Sequence, residues 1–341
     1  MAIAHLCGSM NLPDPETVFR TVARISGDTV SRMPDGETGA RQDWIMAQLP
    51  RLASNSALEP APPAENDYRV LPAFRLRGHA RAAQLRFDLG YAQAATTSYP
   101  LFRRLKADGV IDERVRFQVS LPTPLAIALP FIAPEHREAV APAIERAMAR
   151  EVERIAASAP ADQLAIQWDV AVEISHLEGL RGASVSRDEI LSQLARIASL
   201  VPDEVELGYH LCYGDAPPGP GERGRHFMAP RDTGLLVEVA NWICERAGRS
   251  IAFVHMPVPI DRDDDGYFAP LDDLRLQPAT RLFLGLVHHE DGLEGTQRRI
   301  AAAARHARGF GVATECGMGR RPREWVAELL RIQRDAVVPG E

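Results

Sequence analysis

His210 and Cys212 end a predicted buried strand at residues 204–212, and one residue separates them. Because side chains alternate between the two faces of a strand, the imidazole and the thiol point the same way. An imidazole and a thiol side by side can supply half of a zinc site. The alternative is a hydrogen-bonded histidine beside a buried cysteine, which packs as a small apolar residue. The pair alone leaves both interpretations open.

Eight apolar segments are predicted to be strands, and most of them are followed by a helical pattern. They lie at residues 2–7, 28–33, 114–121, 163–169, 204–212, 250–255, 282–288 and 311–315. Such alternation predicts a parallel sheet covered by helices. Eight units favour an α/β fold of the (β/α)8 TIM barrel type, with residues 1–341 as a single domain. An open doubly wound sheet is the alternative, although no GxGxxG motif follows the first strand.

Two stretches interrupt this regular pattern. Residues 52–113 are predicted to hold a surface insertion, which begins with a Pro- and Ala-rich run. Residues 213–231 are rich in Gly and Pro. This second stretch is long enough for a lid or an active-site flap.

Polar side chains gather at the predicted carboxyl ends of the strands. In a parallel barrel these ends all open onto one face, where barrel enzymes carry their active sites. Residues far apart in the sequence are therefore expected to meet in one mouth: Cys7, Ser9, Asp35, Glu37, Thr123, Asp169, His210, Cys212, His255, His288, His289, Glu315 and Cys316.

His210, Cys212 and Cys316 form a candidate metal set, with His255 as a possible fourth ligand. Sulfur and imidazole ligands in a four-coordinate site favour Zn²⁺ over magnesium or calcium. Zinc lowers the pKa of a thiol that binds it, and the thiol becomes a nucleophile at neutral pH. Cys7 either faces the same mouth or packs as a small buried residue.

Two carboxylates and a histidine pair form a second set of candidates. Glu37 and Asp169 can hold the ammonium group of a ligand or transfer protons, or they are simply a turn acid and a helix-capping acid. His288 and His289 can include a general acid or proton shuttle. Only one of these adjacent histidines can face the mouth.

Composition limits the classes of partner. The chain has 341 residues and a net charge of −7, which does not favour nucleic acid or an anionic membrane. No apolar run reaches the length of a membrane span, and the N-terminal residues lack the features of a secretion signal. Four widely spaced cysteines do not indicate a disulfide framework. A reducing compartment, the cytoplasm, is the expected location.

The chain resembles the catalytic C-terminal half of cobalamin-independent methionine synthases, in the superfamily that includes uroporphyrinogen decarboxylase. The resemblance runs through most of the chain in matching order. Gly8-Ser9 is similar to the family's opening Gly-Ser, DGETGARQDWI to HGE…RxDM, and IQWDVAVEI to IQIDEPALRE. HLCY is similar to HMCY, TECGMGRR to NPDCGLKTR, and VHHEDG loosely to IHSP.

The resemblance implies zinc ligands at His210, Cys212 and Cys316, with His255 at the strand end where the family has a glutamate. It implies that Gly8, Ser9, Glu37 and Asp169 bind a homocysteine-like thiol. The proton-handling residue is then His288, His289 or Glu290.

The function implied by the resemblance is zinc-dependent methyl transfer to a thiol, in methionine biosynthesis or a related pathway. The methyl donor would be a folate, a methylated corrinoid protein or another compound. One alternative is a metal-free decarboxylase or lyase of the uroporphyrinogen decarboxylase-like branch, with Arg32, Arg41, Arg320 and Arg321 as carboxylate clamps. Another is a non-enzymatic zinc- or thiol-binding barrel.

Overall fold

The structure is a computed structural model that describes residues 4–64, 71–78, 80–81, 85–179, 185–214 and 229–337. Its strands are β1 Ala4–His5, β2 Arg32–Pro34, β3 Leu58–Ala64, β4 Leu71–Leu76, β5 Arg116–Pro122, β6 Leu164–Val170, β7 Glu206–Leu211, β8 Phe253–Pro257, β9 Arg281–Val287 and β10 Gly311–Thr314. Its α-helices are α1 Pro15–Ser26, α2 Leu49–Ala53, α3 Tyr91–Ala107, α4 Pro124–Phe131, α5 Pro134–Ala156, α6 Val172–Leu177, α7 Arg187–Arg196, α8 Gly234–Arg246, α9 Asp265–Phe268, α10 Gly292–Ala303 and α11 Arg323–Val337.

Eight parallel strands form a nearly closed barrel in the order β1-β10-β9-β8-β7-β6-β5-β2. Ala4 of β1 pairs with Val312 of β10 on one side and forms a parallel bridge to Val30, just before β2, on the other. The sheet therefore returns to its starting strand, as the predicted TIM barrel requires and an open doubly wound sheet does not. All eight predicted strands are present. Some bounds differ, since the strand predicted at residues 250–255 is Phe253–Pro257.

Burial on both faces explains why these strands read as apolar runs. All seven residues of β6 are buried, and helices such as α5 cover the outside with an apolar stripe. Inside the barrel, Gly208 has no side chain because a Cβ there would collide with the ring of Phe253 on the neighbouring strand. Gly208 and Phe253 are paired in register two residues before His210 and His255.

The predicted surface insertion, residues 52–113, contains an antiparallel hairpin of β3 and β4 that is separate from the barrel sheet. It also contains α3, which packs on the barrel beside α5. Of the predicted long loop, residues 215–228 lie outside the described residues. None of the helices that the structure describes is both long and apolar enough to span a bilayer.

Strand register sets the height of the polar residues in the barrel. Asp169 of β6 is paired with His210 of β7, and His210 is paired with His255 of β8. The three residues therefore form one row across three adjacent strands. This row lies near the carboxyl ends of the strands, on the face where the sequence predicts the site.

Candidate functional site

The ligand atoms of His210, Cys212 and Cys316 all lie within 4.8 Å of one another, and we refer to these three residues as the Cys/His cluster. The Sγ atoms of Cys212 and Cys316 are 3.7 Å apart. Two sulfurs bound to tetrahedral zinc, each at about 2.3 Å, would be separated by about 3.8 Å. The two thiols thus already have the spacing that zinc requires, although they are 104 residues apart in the sequence.

The His210 ring supplies the third donor. Its Nδ1 lies 2.6 Å from Nδ1 of His255. Its Nε2 is buried and has no hydrogen-bond partner among the described residues. Burial of a polar atom without a hydrogen-bond partner costs free energy. A metal ion bound between this nitrogen and the two thiols would remove that cost. The residues present therefore fit zinc.

Electrostatics favour a thiolate at Cys316. The hydrogen bond from the Cys212 thiol lowers the pKa of Cys316 well below its usual range, and the neighbouring His210 and Arg320 lower it further against the opposing effect of burial. The backbone N–H of Gly214 also donates to Sγ of Cys212 at 3.2 Å. The Cys/His cluster is thus prepared to hold a cation through negatively charged sulfur.

His255, predicted as a possible fourth ligand, lies on the side of His210 that faces Cys7. It forms a second group with His210 and Cys7, and it does not share one group with both cysteines of the Cys/His cluster. Its Nε2 lies 3.1 Å from the carbonyl oxygen of Thr314, and its Nδ1 faces His210. Cys7 donates its thiol to the same Thr314 carbonyl at 3.5 Å. Both ring nitrogens of His255 are therefore engaged within the protein.

Glu37 and Asp169, here named the acidic pair, flank the same mouth. The backbone of Glu37 has a positive φ of 48°, held by a 2.9 Å hydrogen bond from its N–H to Oδ1 of Asp35. This strained turn directs the carboxylate onto Gly8, where any Cβ would collide with it. Asp169 accepts a 2.8 Å hydrogen bond from Gln167 on the same strand.

Burial raises the pKa of both members of the acidic pair. The pKa of Glu37 rises to about 8, and that of Asp169 rises well above its ordinary value. Negative charge on Cys316 raises both pKa values further, so the acidic pair and the Cys/His cluster share one electrostatic environment. The folded protein therefore favours the protonated form of both carboxyls.

Ser9 supports the loop that carries Cys316. Its carbonyl accepts a 2.6 Å hydrogen bond from the N–H of Met318, and its hydroxyl accepts one of 3.3 Å from the N–H of Gly319. Gly317 also lies against Ser9, because a Cβ at residue 317 would meet its hydroxyl. Ser9, predicted to bind the substrate, is thus a structural support for the loop that carries Cys316.

The two adjacent histidines after β9 face different surroundings. His288 is buried, with Nε2 at 2.8 Å from the carbonyl oxygen of Val258 and Nδ1 at 3.9 Å from a carboxylate oxygen of Glu315. His289 stacks flat on Trp325 of α11, with ring centroids 3.9 Å apart. His288 therefore lies beside the residue that precedes Cys316, whereas His289 is held by the outer helix.

The arginines proposed as carboxylate clamps already have carboxylate partners in three cases. Arg32 contacts Glu206 at 2.7 Å, and Arg321 contacts Glu315 at 2.6 Å. Arg41 is likewise paired with an aspartate at 2.7 Å. Sequence reasoning did not identify these pairs, which join residues 174 positions apart in the case of Arg32 and six positions apart in the other two. These three ion pairs leave fewer arginine side chains to bind a substrate carboxylate.

The fold and the Cys/His cluster define a parallel barrel with a candidate thiolate metal centre near the carboxyl ends of its strands. No protein-family model matches this chain, and no curated protein matches it. Its fold is similar to that of a B12-independent methionine synthase from Shewanella sp. W3-18-1 in complex with selenomethionine, with a TM-score of 0.62 and 14% identity, covering 98% of this chain and 96% of that chain. It is also similar to a methyltransferase from Methanosarcina mazei, with a TM-score of 0.53 and 12% identity, covering 98% of this chain and 94% of that chain. At these identities the similarity is one of fold.

Proposed function

We propose that this protein is a zinc-dependent methyltransferase of the methionine-synthase type, which transfers a methyl group to a homocysteine-like thiol. The observation that carries the proposal is the Cys/His cluster at the barrel mouth, with its 3.7 Å sulfur separation and a buried imidazole nitrogen that has no hydrogen-bond partner within the described part of the chain. The similarity of the fold to a B12-independent methionine synthase and a methyltransferase supports it.

His210, Cys212 and Cys316 would hold the metal ion. Two sulfurs and one imidazole nitrogen favour zinc over magnesium or calcium. Three protein ligands leave a fourth position for the thiol of the substrate. Bound there, zinc would lower the pKa of that thiol and supply a sulfur nucleophile at neutral pH.

The acidic pair would bind the amino group of the acceptor. Burial favours the protonated form of each carboxyl, whereas an ammonium group beside it would favour the ionised form. Gly8 makes room for the Glu37 carboxylate, and Ser9 lies next to the loop of Cys316. These contacts would orient the acceptor so that its sulfur faces the Cys/His cluster.

Methyl transfer forms a bond between sulfur and the methyl carbon and breaks the bond between that carbon and the donor. A folate donor leaves with the electron pair on its nitrogen and takes up a proton there, whereas a corrinoid leaves with the pair on cobalt and needs no proton. His288 is the candidate for handling this proton, because it is buried beside Glu315 near the cluster. The donor would be a folate, a methylated corrinoid protein or another methyl compound.

Elemental analysis of protein purified without chelator tests the metal site. We expect one zinc per chain, lost in Cys316→Ser and kept in the control Cys244→Ser, which changes a buried cysteine of α8 outside the cluster. Retention of full zinc by Cys316→Ser would contradict the ligand assignment.

X-ray absorption then tests whether the site is catalytic or closed. Addition of homocysteine should add one sulfur to the zinc shell, whereas a closed, non-enzymatic site would keep its spectrum unchanged. Isotope-labelled methyl donors would next be screened for methyl transfer to the bound thiol.

A further inference from the structure

A continuous row of hydrogen bonds connects the Thr314 backbone to the Cys/His cluster. The Thr314 carbonyl oxygen can only accept, so Nε2 of His255, 3.1 Å away, is assigned the proton. Nδ1 of a neutral His255 ring is then an acceptor, and it faces Nδ1 of His210 at 2.6 Å. His210 must donate through Nδ1 in this arrangement, which leaves a lone pair on its Nε2.

We propose that His255 is a positioning residue for the zinc ligand His210 and is not itself a fourth ligand. The inference rests on the proposed zinc site and deepens it. By accepting a hydrogen bond from Nδ1 of His210, His255 fixes the tautomer and the orientation of that ring, as outer partners of metal-bound histidines commonly do. The Nε2 lone pair of His210 then points away from His255 and is available to the metal.

The surroundings of His255 favour this role. The side chain is completely buried, and β7–β8 pairing places its backbone directly beside that of His210. To bind zinc, His255 would have to give up the bond to His210 or the bond to Thr314. A positioning role keeps both bonds and leaves the fourth position at zinc open for a substrate thiol.

Thr314 supports two of the three proposed ligands at once. Its carbonyl anchors His255, and its hydroxyl donates a 2.7 Å hydrogen bond to the carbonyl oxygen of Cys316. The end of β10 therefore links the imidazole and one thiolate of the cluster through a single residue. This link explains how a histidine at this strand end, where the resembled family has a glutamate, can support the proposed zinc site without binding the metal.

Two substitutions at His255 distinguish positioning from ligation. Asparagine places an amide oxygen near the position of Nδ1 and can still accept a hydrogen bond from His210, but it is a poor zinc ligand. Leucine fills similar space and can do neither. In competition with a chromogenic chelator, we expect His255→Leu to weaken zinc binding about 10- to 100-fold and His255→Asn to stay within about three-fold of wild type.

X-ray absorption of the wild-type zinc protein provides a test that needs no variant. We expect two sulfurs and one imidazole, with a third sulfur and the same single imidazole after addition of homocysteine. Two imidazoles in the zinc shell, or equal loss of affinity in His255→Asn and His255→Leu, would overturn the positioning role. Far-UV circular dichroism of both metal-free variants controls for folding, and the wild-type spectrum decides alone if His255→Leu does not fold.

The proposed function fails in a different way. If wild-type protein binds no zinc, or if Cys316→Ser keeps it, the metal site itself is wrong. If zinc is bound through two sulfurs and two imidazoles, the metal site stands and only the role of His255 is wrong.

Discussion

Replacement of Glu37 by glutamine is expected to stabilise the metal-free protein as the pH rises. Burial raises the pKa of Glu37 from 4.5 to about 8, so the folded protein favours the protonated carboxyl. The unfolded chain ionises the same group near pH 4.5. Between these values the unfolded state binds fewer protons, and the wild-type protein loses stability as pH increases. Above about pH 8 both states are ionised and the loss stops.

The magnitude follows from the linkage slope. One proton of difference changes the free energy of unfolding by about 1.4 kcal/mol per pH unit, or about 3 kcal/mol between pH 5.5 and 8. Because Glu37 is partly exposed, solvent screening reduces this figure, and we take about 2 kcal/mol. The advantage of Glu37→Gln over wild type should therefore be about 2 kcal/mol larger at pH 8 than at pH 5.5.

Urea unfolding at pH 5.5, 6.5 and 8, followed by circular dichroism, measures this difference. The matched control is Glu294→Gln, which changes a glutamate whose side chain is 90% exposed, and it should show no such pH trend. An advantage of Glu37→Gln that is the same at all three pH values would refute the reasoning.

The same substitution should weaken ligand binding. Loss of the carboxylate removes a charged hydrogen bond to the amino group, which corresponds to a 10- to 100-fold loss of affinity for homocysteine. A thiol of the same length without the amino group serves as the control, and its affinity should not change. A variant more stable than wild type but poorer in binding would mark Glu37 as a residue retained for the ligand.

Three further predictions concern neighbouring elements. Burial raises the pKa of Glu173 from 4.5 to about 7, so Glu173→Gln should gain up to about 3 kcal/mol over wild type between pH 4.5 and 7 in urea titrations, and no gain would contradict it. His288→Ala should lower the rate of methyl transfer about 100- to 10,000-fold, whereas His289→Ala should change it less than about three-fold. Equal effects of the two substitutions would exclude His288 as the residue that handles the proton. Gly208→Ala should destabilise the barrel by about 1–3 kcal/mol, because the new methyl group collides with Phe253, and an unchanged urea midpoint would show that the barrel adapts.

Much of the architecture could be predicted from local pattern. Strands such as β6 are buried on both faces, so their apolar runs are visible in the sequence, and amphipathic helices such as α11 are equally visible. The same alternation showed that polar residues follow the strands at their carboxyl ends. The sequence therefore determined the barrel and indicated candidate residues for its mouth, because both depend on short-range periodicity.

Only the tertiary structure decided which of these residues act together. The alternation of side chains along a strand does not predict their direction where the strand ends or its register shifts. Such a shift occurs between β10 and β9, from Val312 to Thr314. There the absence of a side chain at Gly285 lets the backbone of Glu315 approach closely. The position of the neighbouring Cys316 depends on this approach, which no local pattern reveals.

The different roles proposed for His210 and His255 also depend on contacts that form only in the folded protein. His210 and His255 are both inward-facing residues on adjacent strands, and their positions in the sequence do not distinguish a ligand from a residue that supports a ligand. Their roles separate because the Thr314 carbonyl, on a distant strand, occupies one nitrogen of His255. Types and positions of candidate ligands are properties of the chain, whereas the direction of each lone pair is set by hydrogen bonds that exist only in the folded barrel.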